Sequence, residues 1–247
     1  MAQAYAIDGA THPLFTLGAY GISWPALRNP KTEQEQSSKW IPVVVLLAVA
    51  VAALVLLTLV HLQLPYPFIL DDEFRYSQLA RFGRAPDSIL GKFPVFLYLS
   101  TFSWVSRCGE GYLACGRFTN VLFLVASLLP LYRTARMFVD RRLALVIASF
   151  SIVAPASIYT AYFMAESMYF FLFWCLIWCV LGTLDRNPWR LGLGTGALCG
   201  LLTLVKPHGL FLLGAMAVFF VALAIIRRQT YPLIWLVVHL STWSDEA

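Results

Sequence analysis

Charge is the scarcest commodity in this chain: only 13% of its 247 residues are Asp, Glu, Lys or Arg, against 60% hydrophobic residues and a mean hydropathy of +0.72. A soluble globular domain carries about a quarter charged residues, so that class is excluded. A nucleotide-binding glycine loop, a serine–histidine–acid set and an internal repeat are also missing, which sets aside phosphate-loop enzymes, triad hydrolases and repeat arrays. No charged residue interrupts the run from Trp40 to Leu70. That run begins too deep for a cleavable signal peptide, and no small-residue cleavage motif follows it. The net charge of +5 and isoelectric point near 9.0 would suggest a polyanionic partner in a soluble chain. Here the basic residues are largely loop arginines, which membrane topology explains, so no nucleic acid is expected as a partner.

What is present is a series of long apolar runs, and these predict an all-α polytopic membrane protein. Ile41 to Leu64 is long enough to cross a hydrocarbon core, which takes about 20 apolar residues. Further spans are predicted over Gly111 to Tyr132, Leu143 to Phe163, Ser167 to Leu184, Leu191 to Val205 and Pro207 to Ile226, and Thr230 to Trp243 forms a short stub. This gives about six spans of roughly 20 residues. The organisation is therefore a cytosolic N-terminal tail over 1–39, a transmembrane domain over 40–243 with a long outer loop over 65–110, and terminal residues 244–247 where the chain halts. Within the outer loop, the apolar stretch from Phe93 to Val105 is too short for a span and suits an interfacial or re-entrant helix. Its aromatics Phe93, Phe96, Tyr98, Phe102 and Trp104 are types that favour the headgroup level.

Lysine and arginine on short loops are retained on the cytoplasmic side. With the tail inside, that side holds Arg28, Lys31, Lys39, Arg133, Arg136, Arg141, Arg142, Arg186, Arg190, Arg227 and Arg228. The outer side holds Arg75, Arg81, Arg84, Lys92, Arg107, Arg117 and Lys206, nearly all in or beside the one long outer segment. The resulting expectation is a multi-pass membrane protein with a cytosolic N-terminus, embedded among membrane lipids. On this parity three polar clusters share the outer face: Asp71, Asp72 and Glu73; Glu166; and Lys206, Pro207 and His208.

The acidic triplet opens the outer loop, and Tyr76, Ala80 and Arg81 follow at helical spacing. Carboxylates there serve as a general base or hold a divalent cation against a phosphate. The competing reading is a solvated helix cap, since acidic residues favour the first turn. Glu166 lies between two apolar runs, where an ionisable residue is costly and usually functional. Lys206 precedes a proline that ends one helix and begins another; it neutralises a phosphate in one reading and snorkels to the interface in the other. Opposite charges on one face suit transfer of a group attached to phosphate, because the leaving phosphate needs positive charge and the acceptor hydroxyl needs a base. Charges at span ends, without a pseudo-symmetric repeat, fit a transporter or carrier less well. Among the cysteines, Cys175 and Cys179 read as packing residues. Cys108 and Cys115 form either a disulfide, if their side is oxidising, or a pair of reduced thiols. Gly192, Gly194, Gly196 and Gly200 read as a small-residue packing face.

The order Asp72, Glu73, Tyr76, Ala80, then Lys92 with Pro94, Arg117 with Asn120, Ala165-Glu166-Ser167 and Leu204-Val205-Lys206-Pro207 resembles the N-terminal part of the GT-C superfamily of membrane glycosyltransferases. The similarity is to the dolichyl- or polyprenyl-phosphate-sugar-dependent transferases, including the RgtA/B/C/D-like and aminoarabinose-transferase-like families. It implies an enzyme that moves a sugar from an isoprenoid-phosphate carrier to a glycan, lipid or protein acceptor at the outer or lumenal face, and it favours a bacterial inner membrane over a eukaryotic endoplasmic reticulum. By the same resemblance Asp72 is the leading catalytic carboxylate with Asp71 and Glu73 beside it, Glu166 is a second acidic position, and Lys206 contacts phosphate. Arg75, Tyr76, Arg81, Lys92 and His208 complete the candidate substrate contacts. The alternatives are a membrane transporter, or a truncated, non-catalytic copy of such an enzyme.

Overall fold

A computed structural model describes residues 41–63, 71–82, 95–153, 155–183 and 188–227, all within the compact unit Trp40–Ala247. The tail over 1–39, Lys92 and the stub over 230–243 lie outside the described residues. Among the described residues there is no strand. The helices are α1 (Ile41–Leu62), α2 (Asp71–Phe82), α3 (Phe96–Phe102), α4 (Tyr112–Ala126), α5 (Leu128–Ala135), α6 (Arg141–Val153), α7 (Glu166–Thr183), α8 (Pro188–Val205) and α9 (Gly209–Arg227). Two 3-10 segments, Ser103–Gly111 and Pro155–Ala161, join α3 to α4 and follow α6.

The 22 residues of α1 span about 33 Å at 1.5 Å per residue, enough for a hydrocarbon core. Val43, Leu47, Val51, Leu56 and Leu59 remain exposed on it, and an apolar face uncovered by protein is a face that lipid would cover. Its opposite stripe, Leu46, Val49, Ala50, Ala53 and Leu57, packs on Leu124, Leu128, Leu131 and Ile152. Among the described residues two helical runs can cross a membrane by length and composition, Val43–Leu62 and Phe96–Ala135; Glu166–Gly182, Gly192–Val205 and Gly209–Ala222 are shorter apolar helices.

Prolines set the internal breaks. Pro130 has no N–H to donate to the carbonyl of Ala126, and α4 ends at Ala126. α6 stops at Val153, two residues ahead of Pro155, so the run expected as one span from Leu143 to Phe163 is a shorter helix followed by a 3-10 segment. The chain also turns at Gly109, whose φ is 56°. The expectation that the loop aromatics line the headgroup level needs correction for two of them. Tyr98 and Phe102, four residues apart on one face of α3, are fully buried against Phe163, whereas Phe96 and Trp104 are exposed.

α7 and α8 pack as an antiparallel pair, so the start of α7 and the end of α8 share one end of the bundle. Gly194 lies against Cys179 Sγ at this contact, as a small-residue packing face requires. Cys108 and Cys115 are bridged by a disulfide that staples the 3-10 segment to the first turn of α4.

Candidate functional site

Asp71, Asp72 and Glu73 are the first three residues of α2, where negative charge is favoured by the helix dipole. The helix then separates their fates. Asp72 is exposed, while Glu73 is fully buried and its Oε1 accepts the backbone N–H of Phe163 at 2.9 Å. Three residues after Phe163, Glu166 opens α7, again a carboxylate at a helix N-terminus.

Lys206 follows the last residue of α8, and its Nζ donates to Glu166 Oε1 at 2.5 Å. With side chains 19% and 20% exposed, this pair is only partly shielded and remains open to a ligand from solution. Glu166 Oε2 and Ser167 Oγ beside it are buried and have no hydrogen-bond partner among the described residues. The reversal from α8 to α9 is tight because residue 209 is glycine: a Cβ there would lie 2.5 Å from the backbone nitrogen of Thr203. Pro207 and His208 occupy that turn, both exposed, with the His208 ring 6.3 Å from Phe211.

Tyr76, one turn beyond Asp72, links the clusters. Burial, then the charges of Asp72 and Glu166, push its phenol above the usual tyrosine range, while Arg75 acts in the opposite direction. The phenol therefore stays protonated and can donate a hydrogen bond at neutral pH. Its ring meets Tyr98 edge-on at 5.8 Å. Arg81, at the end of α2, stacks its guanidinium 3.8 Å from the Tyr112 ring, a cation–π contact that ties α2 to α4. Arg75 is exposed and Arg117 buried. Thus the structure gathers Asp72, Glu73, Tyr76, Glu166 and Lys206 at one end of the bundle, and Asp71 opens the same helix. Among the described residues no three His, Cys, Asp or Glu side chains gather as a metal site.

Several participants were not legible as such in the sequence. Asn120 donates from Nδ2 to the carbonyl of Tyr162 at 2.7 Å. His61 meets the Thr160 hydroxyl at 3.2 Å, and Thr160 donates to the Ser157 carbonyl, which leaves His61 Nε2 as the donor. A signal for His61 existed: it is the one histidine in a run from Trp40 to Leu70 that holds no Asp, Glu, Lys or Arg.

Among the described residues the chain is all-helical, α1 turns an apolar face outward, and opposite charges meet where α7 begins and α8 ends. Residues 94–244 match the family described as dolichyl-phosphate-mannose-protein mannosyltransferase, well over half of the chain, and the chain belongs to this family. It is a family of membrane glycosyltransferases that use a polyprenyl-phosphate sugar donor. Neither a curated protein nor a solved structure matches the chain. Asn120, Glu166 and Lys206 fall within the matched residues, whereas α2 with its acidic triplet precedes them.

Proposed function

We propose that this chain is an inverting glycosyltransferase of the GT-C type, with about six spans of roughly 20 residues, that transfers a sugar from a polyprenyl-phosphate carrier at the outer face of a bacterial inner membrane. The observation that carries the reading is the convergence of an exposed carboxylate, Asp72, with Tyr76, Glu166 and Lys206 at one end of the bundle. The Cys108–Cys115 disulfide supports the sidedness, because such bridges persist in oxidising compartments.

In this mechanism the acceptor hydroxyl attacks the anomeric carbon and gives its proton to the Asp72 carboxylate. The bond from that carbon to the phosphate oxygen breaks, and polyprenyl phosphate leaves with the electron pair. Lys206 faces the leaving phosphate and offsets its charge, while Glu166 holds the ammonium in place until donor arrives. Glu166 Oε2, Ser167 Oγ and the Tyr76 phenol offer hydrogen bonds to sugar hydroxyls. A glycan, lipid or protein supplies the acceptor hydroxyl. The test is incubation of membranes containing the chain with radiolabelled polyprenyl-phosphate sugars. Label should pass to an acceptor with wild type and not with Asp72→Asn at equal abundance; full transfer by that variant would remove the base from the mechanism.

A further inference from the structure

The buried linker between the 3-10 segment Pro155–Ala161 and α7 has peptide groups that no helix satisfies. Buried backbone groups need partners, and an unmet one costs about 1–3 kcal/mol. At the Tyr162–Phe163 peptide both edges are taken by side chains from other helices. Asn120 of α4 donates to the carbonyl of Tyr162 at 2.7 Å, and Glu73 of α2 accepts the N–H of Phe163 at 2.9 Å. Both side chains are completely buried. The Phe163 ring packs edge-on against the adjacent rings of Tyr98 and Phe102, with centroids 6.1 and 5.4 Å away, and lies directly on Gly116.

We infer that Glu73 and Asn120 form a two-sided clamp on one peptide plane and act as positioning residues that set where Glu166, and through it Lys206, stands. The clamp lies immediately ahead of α7, three residues before the Glu166–Lys206 pair. A peptide held at both edges cannot rotate without losing a hydrogen bond, so it fixes the direction in which α7 begins. On this account Glu73 contributes an acceptor oxygen to the linker peptide, whereas its neighbour Asp72 is exposed. The inference rests on the glycosyltransferase reading for its effect on activity, but not for its effect on structure.

The decisive variant is Glu73→Gln, which keeps an acceptor oxygen and discards the charge. Glu73→Ala and Asn120→Ala should each lower kcat for sugar transfer about 100-fold with donor KM changed less than threefold, the scale of a misplaced catalytic group. Hydrogen–deuterium exchange of purified protein supplies a readout free of activity. Residues 160–168 should exchange faster in the two alanine variants and as wild type in Glu73→Gln. Exchange over 160–168 that rises as much in Glu73→Gln as in Glu73→Ala overturns the clamp, as does unchanged exchange there in Glu73→Ala. A wild-type chain that transfers no sugar but shows the expected exchange pattern overturns the enzymatic reading alone.

Discussion

Lys206 and Gly116 show how much a single position carries here. The Lys206 ammonium is the positive charge closest to Glu166, and a charge-assisted hydrogen bond contributes about 1.5–3 kcal/mol. Lys206→Met should therefore raise the KM for a polyprenyl-phosphate sugar about 10- to 100-fold with acceptor KM unchanged; equal effects on both substrates in initial-rate measurements would speak against a phosphate contact. Gly116 is required by close approach: a Cβ there would lie 2.3 Å from the Phe163 ring. The ring is walled in by Tyr98 and Phe102, so Gly116→Ala should cost about 1–3 kcal/mol. A fall in the Tm of the purified protein, partly restored by Phe163→Leu, checks it. The lysine was legible from its place at a proline break. The glycine was not, because nothing nearby in the chain announces a ring arriving from 47 positions further along.

At the level of helices and turns, periodicity and proline placement were informative, and the cores of α1, α7, α8 and α9 lie where the apolar runs predict them. The shortfall came where a run was long enough to cross but punctuated inside. Pro155 divides the run from Leu143 to Phe163, and α3 turns Tyr98 and Phe102 inward. Hydropathy cannot tell a residue facing lipid from one facing protein, since both are apolar surroundings. The pair Cys108 and Cys115 was left open between bridge and free thiols, and proximity closes it. Cys108→Ser should destabilise the junction of α3 and α4 by about 2 kcal/mol, as expected for a short closed loop. Thiol titration of denatured wild-type protein should find three reactive thiols before reduction and five after. Five before reduction would show that the bridge is not formed in the cell.

Seen across its full height, the bundle sets a pair of arginines far from the mixed-charge cluster. From Gly116 to Ala135 α4 and α5 advance about 28 Å, close to the thickness of a hydrocarbon core, so Arg133 and Arg136 lie near the end opposite Glu73 and Glu166. Asp72→Cys and His208→Cys, both at exposed positions, should react with a membrane-impermeant thiol reagent added to intact cells, and Arg136→Cys only after the cells are opened. Opposite labelling of positions 72 and 208 would dismantle the shared site. The long apolar runs already pointed to a helical chain, because a backbone in apolar surroundings must bond to itself, and read as successive spans they put these clusters on one face. It could not say that Asp72 stays in water while Glu73 is buried on a peptide 90 residues away, or that Lys206 closes on Glu166 across 40. Those assignments depend on how each helix is rotated about its axis, and rotation is settled by side chains packing between helices that are remote in the chain.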